Sequence, residues 1–394
     1  MMKNTTSDAS PGTPGQRRRL IRKHSVTGAG CICPTGNCQG VLSGLLIVVM
    51  VILNVSCKKD PTGPDVPSSV PPGARGVYIL HEGNYGDAAG ARLSLYDFER
   101  DSIITDIVES ANQGMHLGST GDDLKIYRNE LFALMSGSEN LVVLNTATHA
   151  ILRSAYFAGW VPHALAIDSA RGRLYVTQLY RNAVGVLDLT TLVPVDSFPV
   201  GANPQEMLIR GSRLFVCNSG YGGARSVSVY DLATRRVVST LTIGLGPTGI
   251  VAGSDDRVWV VCTGNAYATP PVPGSLYKIN STTLSVEDSV VFGGPLWGAI
   301  DASTDGYLYV LGVTPGSFYG GPVHRMRVSS KTVTPDFVAG TFYGVAVDGV
   351  TGDVYLADAK GFTAAGEVRI FTQGGVAKRT AAVQRGPAVF VFKR

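Results

Sequence analysis

The chain has 394 residues, 44% hydrophobic and 16% charged, with 48 glycines. That length holds one large domain plus a tail, and so little charge among so many Gly-marked turns fits sheets packed face to face. Residues 1–56 carry Lys3, Arg17, Arg18, Arg19, Arg22 and Lys23 against Asp8, a balance of +5 that leaves −1 of the formal +4 for everything after them, without the basic footprint of a nucleic-acid binder.

The first 40 residues are polar and contain the basic cluster Arg17–Lys23. Val41–Val55 follows as an uncharged apolar run that ends at Ser56-Cys57. A basic region, an apolar core and a small residue before a boundary describe a secretory signal. The core is short for a bilayer span, which takes about 20 apolar residues. The phrase LNVSC before KKDPTGPD resembles a bacterial lipoprotein cleavage box, with Asn54 where that family prefers Leu. The resemblance implies a lipidated Cys57 and a lipid-anchored address in the bacterial cell envelope, at the outer membrane. Lys58–Ala74 has five prolines and reads as a semi-rigid spacer. The expected division is a signal over 1–56, a lipidated cysteine and linker over 57–74, and one folded domain over 75–394. Cys31, Cys33 and Cys38 would leave with the signal. Cys217 and Cys262 are expected to be small core residues that strand parity points to opposite faces, unbridged.

From Gly76 onward one phrase recurs, a short apolar run around an aromatic. Its copies centre on Tyr78, Phe132, Tyr175, Phe215, Trp259, Tyr309 and Tyr355, spaced 40 to 54 residues apart. A second phrase follows each, as in RLSLYD ending at Asp97, LVVLN at Asn145, AVGVLD at Asp188, SVSVYD at Asp231 and SLYKIN at Asn280. The last two copies, near Ser329 and Thr372, are looser. Between copies, runs beginning near Gly159, Gly201, Gly246, Gly294 and Gly340 supply another strand. Four strands per period of this length are the mark of propeller blades, so the spacing predicts an all-β, seven-bladed propeller with few helices. The first copy has no strand before it, and Gly386–Arg394 is a strand with nothing after it. The C-terminal strand is therefore expected to complete the first blade and close the ring.

Loop lengths single out one face. Turns from the first to the second strand of each blade are short and Asp/Gly-rich. Loops from the second to the third strand are long and varied, as in His81–Ala91, Cys217–Arg225 and Cys262–Gly274. They emerge beside the starts of the innermost strands, and binding concentrates on such loops. Candidate ligand contacts are His81, Glu82, Asn84 and Tyr85 from the first loop, with Tyr180, Asn182, Asn218 and Tyr221. Trp160, His163, Gln205, Glu206, Trp297, Phe342 and Tyr343 stand at or beside inner-strand starts. Aromatics with amides suit a large amphipathic ligand. His163 and Glu206 occupy matching places in successive blades and leave open acid–base chemistry of a lyase or lactonase type. No H-E-x-x-H, G-x-S-x-G or P-loop is present. The expectation is accordingly a non-enzyme with no catalytic residue, metal or cofactor of its own.

RLYVTQ (Arg173–Gln178) and RLFVCN (Arg213–Asn218) resemble the YVTN-type repeats of bacterial surface propellers. GVYILHEGNYG (Gly76–Gly86), with SLYDF, GDDLKIYRNELFAL and NPQEMLI, is similar to the propeller lipoproteins of the DUF5074/YncE-like group. That group includes surface lipoproteins that capture vitamin B12 for an outer-membrane transporter. The resemblance thus implies capture of a ligand such as a corrinoid by a monomer, with a surface receptor or transporter as partner. A platform for protein interaction at the cell surface would use the same face.

Overall fold

The computed structural model describes residues 74–394 apart from Tyr85 and Phe318. The signal, Cys57 and most of the spacer lie outside the described residues. Within them the chain forms seven four-stranded antiparallel sheets. Blade 1 takes Gly76–His81, Arg92–Asp97 and Ser102–Ile104 from the start of the domain and Pro387–Lys393 from its end. Gly76 pairs with Lys393 and His81 with Pro387, so the last strand is the innermost strand of the first blade. The other innermost strands are Gly121–Tyr127, Pro162–Asp168, Pro204–Arg210, Pro247–Ala252, Leu296–Ala302 and Gly344–Val347, opening blades 2 to 7. Each packs beside the next, and Gly344–Val347 packs beside Pro387–Lys393, which closes the ring.

Helix is confined, among the described residues, to Ile107–Ala111 and a 3-10 turn at Lys360–Phe362. The first of these takes the place of an extended fourth strand in blade 1, whose outer strand stops at Ile104. None is long and apolar enough to cross a membrane.

The repeat phrases have physical causes. The second strands are buried on both faces by neighbouring blades, as in Glu130–Met135, where every residue after the first is buried. The core accordingly divides into seven apolar clusters, one per seam between blades. Each repeat aromatic enters the seam toward the following blade. Tyr78 lies between blades 1 and 2, Phe215 between 4 and 5, and Tyr355 between 7 and 1. The Asp or Asn that ends the second phrase is a turn device. Asp231 Oδ1 accepts the Ala233 and Thr234 N–H groups at 3.1 and 2.8 Å, and Asn280 Oδ1 does the same for Thr282 and Thr283.

Cys217 and Cys262 are free and buried. They do point to opposite faces of their own blades, yet both belong to the cluster between blades 4 and 5. Opposite faces of adjacent blades confront each other across a seam, so parity sets the two cysteines in one core instead of separating them.

Candidate functional site

One face of the ring holds both the long loops and the upper ends of the innermost strands. In six blades the register of the innermost strand slips once near that end. The slips fall between Gly121 and Asp123, Pro162 and Leu165, Pro204 and Met207, Pro247 and Ile250, Leu296 and Ile300, and opposite Leu80/His81. A bulge releases a residue from the ladder and re-aims its side chain. The residues released include Asp122, His163, Gln205, Glu206, Thr248, Trp297 and Ala388, and all of these line a central cavity of about 470 Å³. Glu82, Asp123, Lys125, Asp301 and Tyr343 complete its polar lining. Gly249 lets the strands of blades 5 and 6 approach here, since a Cβ would lie 2.0 Å from the Gly298 carbonyl oxygen.

The cavity's charges are arranged in two internal pairs. His163 Nδ1 lies 3.0 Å from Asp122 Oδ1, while Asp122 Oδ2 accepts the Ser136 N–H at 2.9 Å. Burial alone would pull the imidazole pKa down. The hydrogen bond and charge of Asp122, with Glu206 and Asp123 nearby, outweigh it and lift the pKa to about 9. Lys125 Nζ lies 2.5 Å from Asp123 Oδ1, and Asp123 Oδ2 accepts the Leu165 N–H at 2.7 Å. Burial opposes the ammonium, but Asp123, Glu206 and Asp301 together raise its pKa.

Three further carboxyls have no ion-pair partner among the described residues. Burial, then Asp122, pushes Glu82 up to about 8, against the Tyr343 hydroxyl and His163. Burial and Asp123 push Glu206 up to about 7. Burial lifts Asp301 to about 6, although its carboxylate accepts the Val347 and Ala302 N–H groups at 2.8 Å each. No group of three His, Cys, Asp or Glu side chains among the described residues could hold a metal ion.

Above the cavity a smaller recess of about 280 Å³ is lined by Glu82, Gly83, Thr120, Trp297, Tyr319, Tyr343 and Phe362. It shares Glu82, Trp297 and Tyr343 with the cavity below. The rings form a chain of contacts: Trp297 to Tyr343 at 5.6 Å, Tyr343 to Phe362 at 5.1 Å and Tyr319 to Phe362 at 5.4 Å.

Residues 75–393 match the family described as domain of unknown function DUF5074. The chain belongs to the DUF5074 family. No curated protein sequence matches it. The DUF5074 chain is similar in structure to a quinonprotein alcohol dehydrogenase-like protein from Bacteroides thetaiotaomicron, with a TM-score of 0.60 at 15% identity over 81% of this chain and 78% of that one. It is similar to a 6-phosphogluconolactonase-like protein from Bacteroides fragilis, with a TM-score of 0.63 at 11% identity over 82% and 99% of the two chains. A third likeness is to hydrazine synthase of Kuenenia stuttgartiensis, at 0.57 and 16% over 66% and 85%. Identities this low carry the fold alone.

Of the residues read from the sequence, Glu82, His163, Gln205, Glu206, Trp297 and Tyr343 come together on the cavity of this DUF5074 propeller. The others lie apart from it. His81 is fully buried, with Nε2 2.9 Å from Ser94 Oγ, and burial drives its pKa down to about 3. Phe342 is fully buried in the seam between blades 6 and 7. Asn218 is buried and donates to Ser226 and Ser228 at 3.1 and 3.0 Å. Each of these three terminates a strand, where the ladder still holds its side chain in the wall. Trp160 stacks on Phe157 at 4.8 Å, and its ring fills the space that a Cβ on Gly185 would need. Asn182 Oδ1 accepts the Asn203 N–H, which shapes the next loop. Asn84 is a half-buried loop residue, and Tyr85 lies outside the described residues. Tyr180 and Tyr221 are 62% and 69% exposed on the same face and stack at 6.1 Å. Sequence reasoning missed Asp122, Asp123, Lys125 and Asp301. For the first three the signal available was GDDLKIY, which aligns with the starts of the other inner strands but lacks the proline that opens most of them.

Proposed function

We propose that this DUF5074 propeller is a non-enzymatic capture protein that binds a small organic ligand at the mouth of its central cavity. The observation that carries the reading is the convergence of all seven innermost strands on one half-open cavity beneath an aromatic recess. A rigid, largely pre-formed pocket with a few converging polar groups is the usual form of a small-molecule site. The exposed tyrosines of the same face extend the contact area for a cofactor-sized ligand, and the lipoprotein resemblance adds a corrinoid to the ligands to be tried. Lipidation of Cys57 would hold the ring at a membrane surface and present the ligand to a receptor or transporter.

A second reading, acid–base hydrolysis, draws on the His163–Asp122 pair beside Glu206. With its pKa raised, His163 would serve in that reading as the general acid and Glu206, pushed up to about 7, as the base.

The test is equilibrium binding of residues 75–394 to a panel of corrinoids, glycans, amines and lactones, with turnover of the lactones followed in parallel. Trp297→Ala is expected to weaken the bound member at least 10-fold, as a hot-spot aromatic does. Val350→Ala, 76% exposed in a turn on the opposite face, should change nothing. Equal loss from both variants, or binding indifferent to Trp297, would put the site elsewhere. Lactone turnover abolished by His163→Asn would make the protein an enzyme.

A further inference from the structure

The recess above the cavity has a composition that neither the repeat pattern nor the fold requires. Trp297 and Tyr319 come from blade 6, Phe362 from blade 7 and Tyr343 from the step between them, yet their rings form an unbroken chain of contacts at 5.1 to 5.6 Å, inclined at 49° to 86°. Rings set at such angles line a box instead of stacking into a slab. The box has a carboxyl at its floor, Glu82, and Tyr319 at its rim is 40% exposed.

Its ring faces are also free of the protein's own cations. Some other aromatic faces are covered, as Phe337 is by Arg325 at 4.1 Å, Tyr96 by Arg379 at 5.1 Å and Trp259 by Lys278 at 5.8 Å. Among the described residues no Arg or Lys lies over any of the four rings of the box. The nearest lysine in sequence, Lys360, is committed to Asp358 and Glu367 at 2.9 Å each. Below the box the same imbalance continues, because Lys125 and His163 are taken by Asp123 and Asp122 while Glu82, Glu206 and Asp301 stay unpaired.

We propose that the box formed by Trp297, Tyr319, Tyr343 and Phe362 over Glu82 is a receptor for a methylated ammonium head group. This rests on the capture reading and names its ligand class. Ring faces present negative potential to a cation, and a methylated ammonium loses less hydration than a primary amine when it enters such a box. Glu82 lies beneath the cation and ionises against it. Burial first, and neighbouring carboxylates second, hold Glu82 and Glu206 in the protonated form, and a cation bound beside them favours their ionisation. A neutral polyol would leave that shortage in place, and an anion would worsen it.

The probes are choline and its neutral isostere 3,3-dimethyl-1-butanol, which share size and shape and differ in charge, each titrated into residues 75–394 at pH 7 by calorimetry. Choline should bind at least 10-fold more tightly. Tyr319→Ala, at an exposed rim position that leaves the fold intact, should weaken choline at least fivefold, and Glu82→Gln should reduce the preference for choline over the isostere. Sedimentation with phosphatidylcholine vesicles, alone or competed by free choline, reads whether the head group is supplied by a lipid or by a soluble molecule. Equal affinity for choline and the isostere, no binding of choline, or binding indifferent to Tyr319 would overturn the proposal. If choline fails while another panel member binds in a Trp297-dependent way, the ligand class is wrong and the capture reading stands. If no panel member binds, both fall.

Discussion

Replacing Phe390 by alanine tests the closure of the ring without altering the backbone. Phe390 lies in the C-terminal strand, is 8% exposed, and enters the seam between blades 7 and 1 with Val77, Ile79, Tyr96 and Ala346. Its ring meets Tyr355 edge-on at 6.2 Å. Truncating a buried phenylalanine costs about 3–5 kcal/mol, the burial term plus the cavity left behind. Unfolding entropy near the midpoint is about 2.1 cal/mol/K per residue, or about 0.7 kcal/mol/K for a ring spanning residues 75–394. The expected fall in Tm is therefore about 4–7 °C. Scanning calorimetry on residues 75–394 should show it as a shift of the single main transition, because the seam ties the first blade to the last. Removing residues 387–394 should do at least as much, since it also strips Gly76–His81 of one pairing partner. If Phe390→Ala melted within a degree of the parent, or if only a minor early transition moved, the last strand would be a fraying end and not the closure.

Acid should weaken the seam between blades 1 and 2 in particular. His149 is buried against Tyr78, whose hydroxyl lies 2.9 Å from Nε2, and burial together with Lys393 lowers its pKa to about 4. The unfolded chain takes up that proton near pH 6.5, so the contribution of neutral His149 is complete above about 6.5 and is lost as pH falls toward 4. His149→Gln should be less stable than the parent at pH 7.5, and the gap between their urea midpoints should narrow by pH 5; a constant gap would mean that His149 does not titrate in this way. At the other end of the chain, Cys57→Ser should abolish acyl labelling and block processing of the full-length protein in cells. Labelling that persists, or a mature N-terminus elsewhere, would refute the lipid anchor.

Seven blades and their closure were legible because each has a local cause that repeats. The aromatic of each second strand fills one seam, and Asp231 or Asn280 shapes the same turn each time. The cavity was legible only in part. His163 and Glu206 follow the conspicuous prolines Pro162 and Pro204, whereas Asp122 and Asp123 sit in a strand without a proline. Alternation also misleads at a bulge, where one slipped residue redirects a side chain from seam to channel, and no pattern of period 2 encodes the slip. The opposite error affected His81 and Asn218, which look like loop residues by position, and Phe342, which reads as part of an inner-strand start; all three are still held by the last rungs of their ladders. The aromatic box was half visible: Trp297 and Tyr343 stand at inner-strand starts, while Tyr319 and Phe362 sit on loops whose convergence only the closed ring creates.

The bulges give the ring a property that a plain stack of sheets lacks. Asp122, Gln205, Thr248 and Trp297 lie off the ladders that set register and outside the clusters that fill the seams, except where Trp297 edges one of them. The chemistry of the channel is thus assembled blade by blade, with couplings such as the His163–Asp122 pair joining two of the contributions. A lineage that keeps this scaffold can drift from one ligand to another by single substitutions at bulged positions, and a shared fold within the family then says little about a shared ligand.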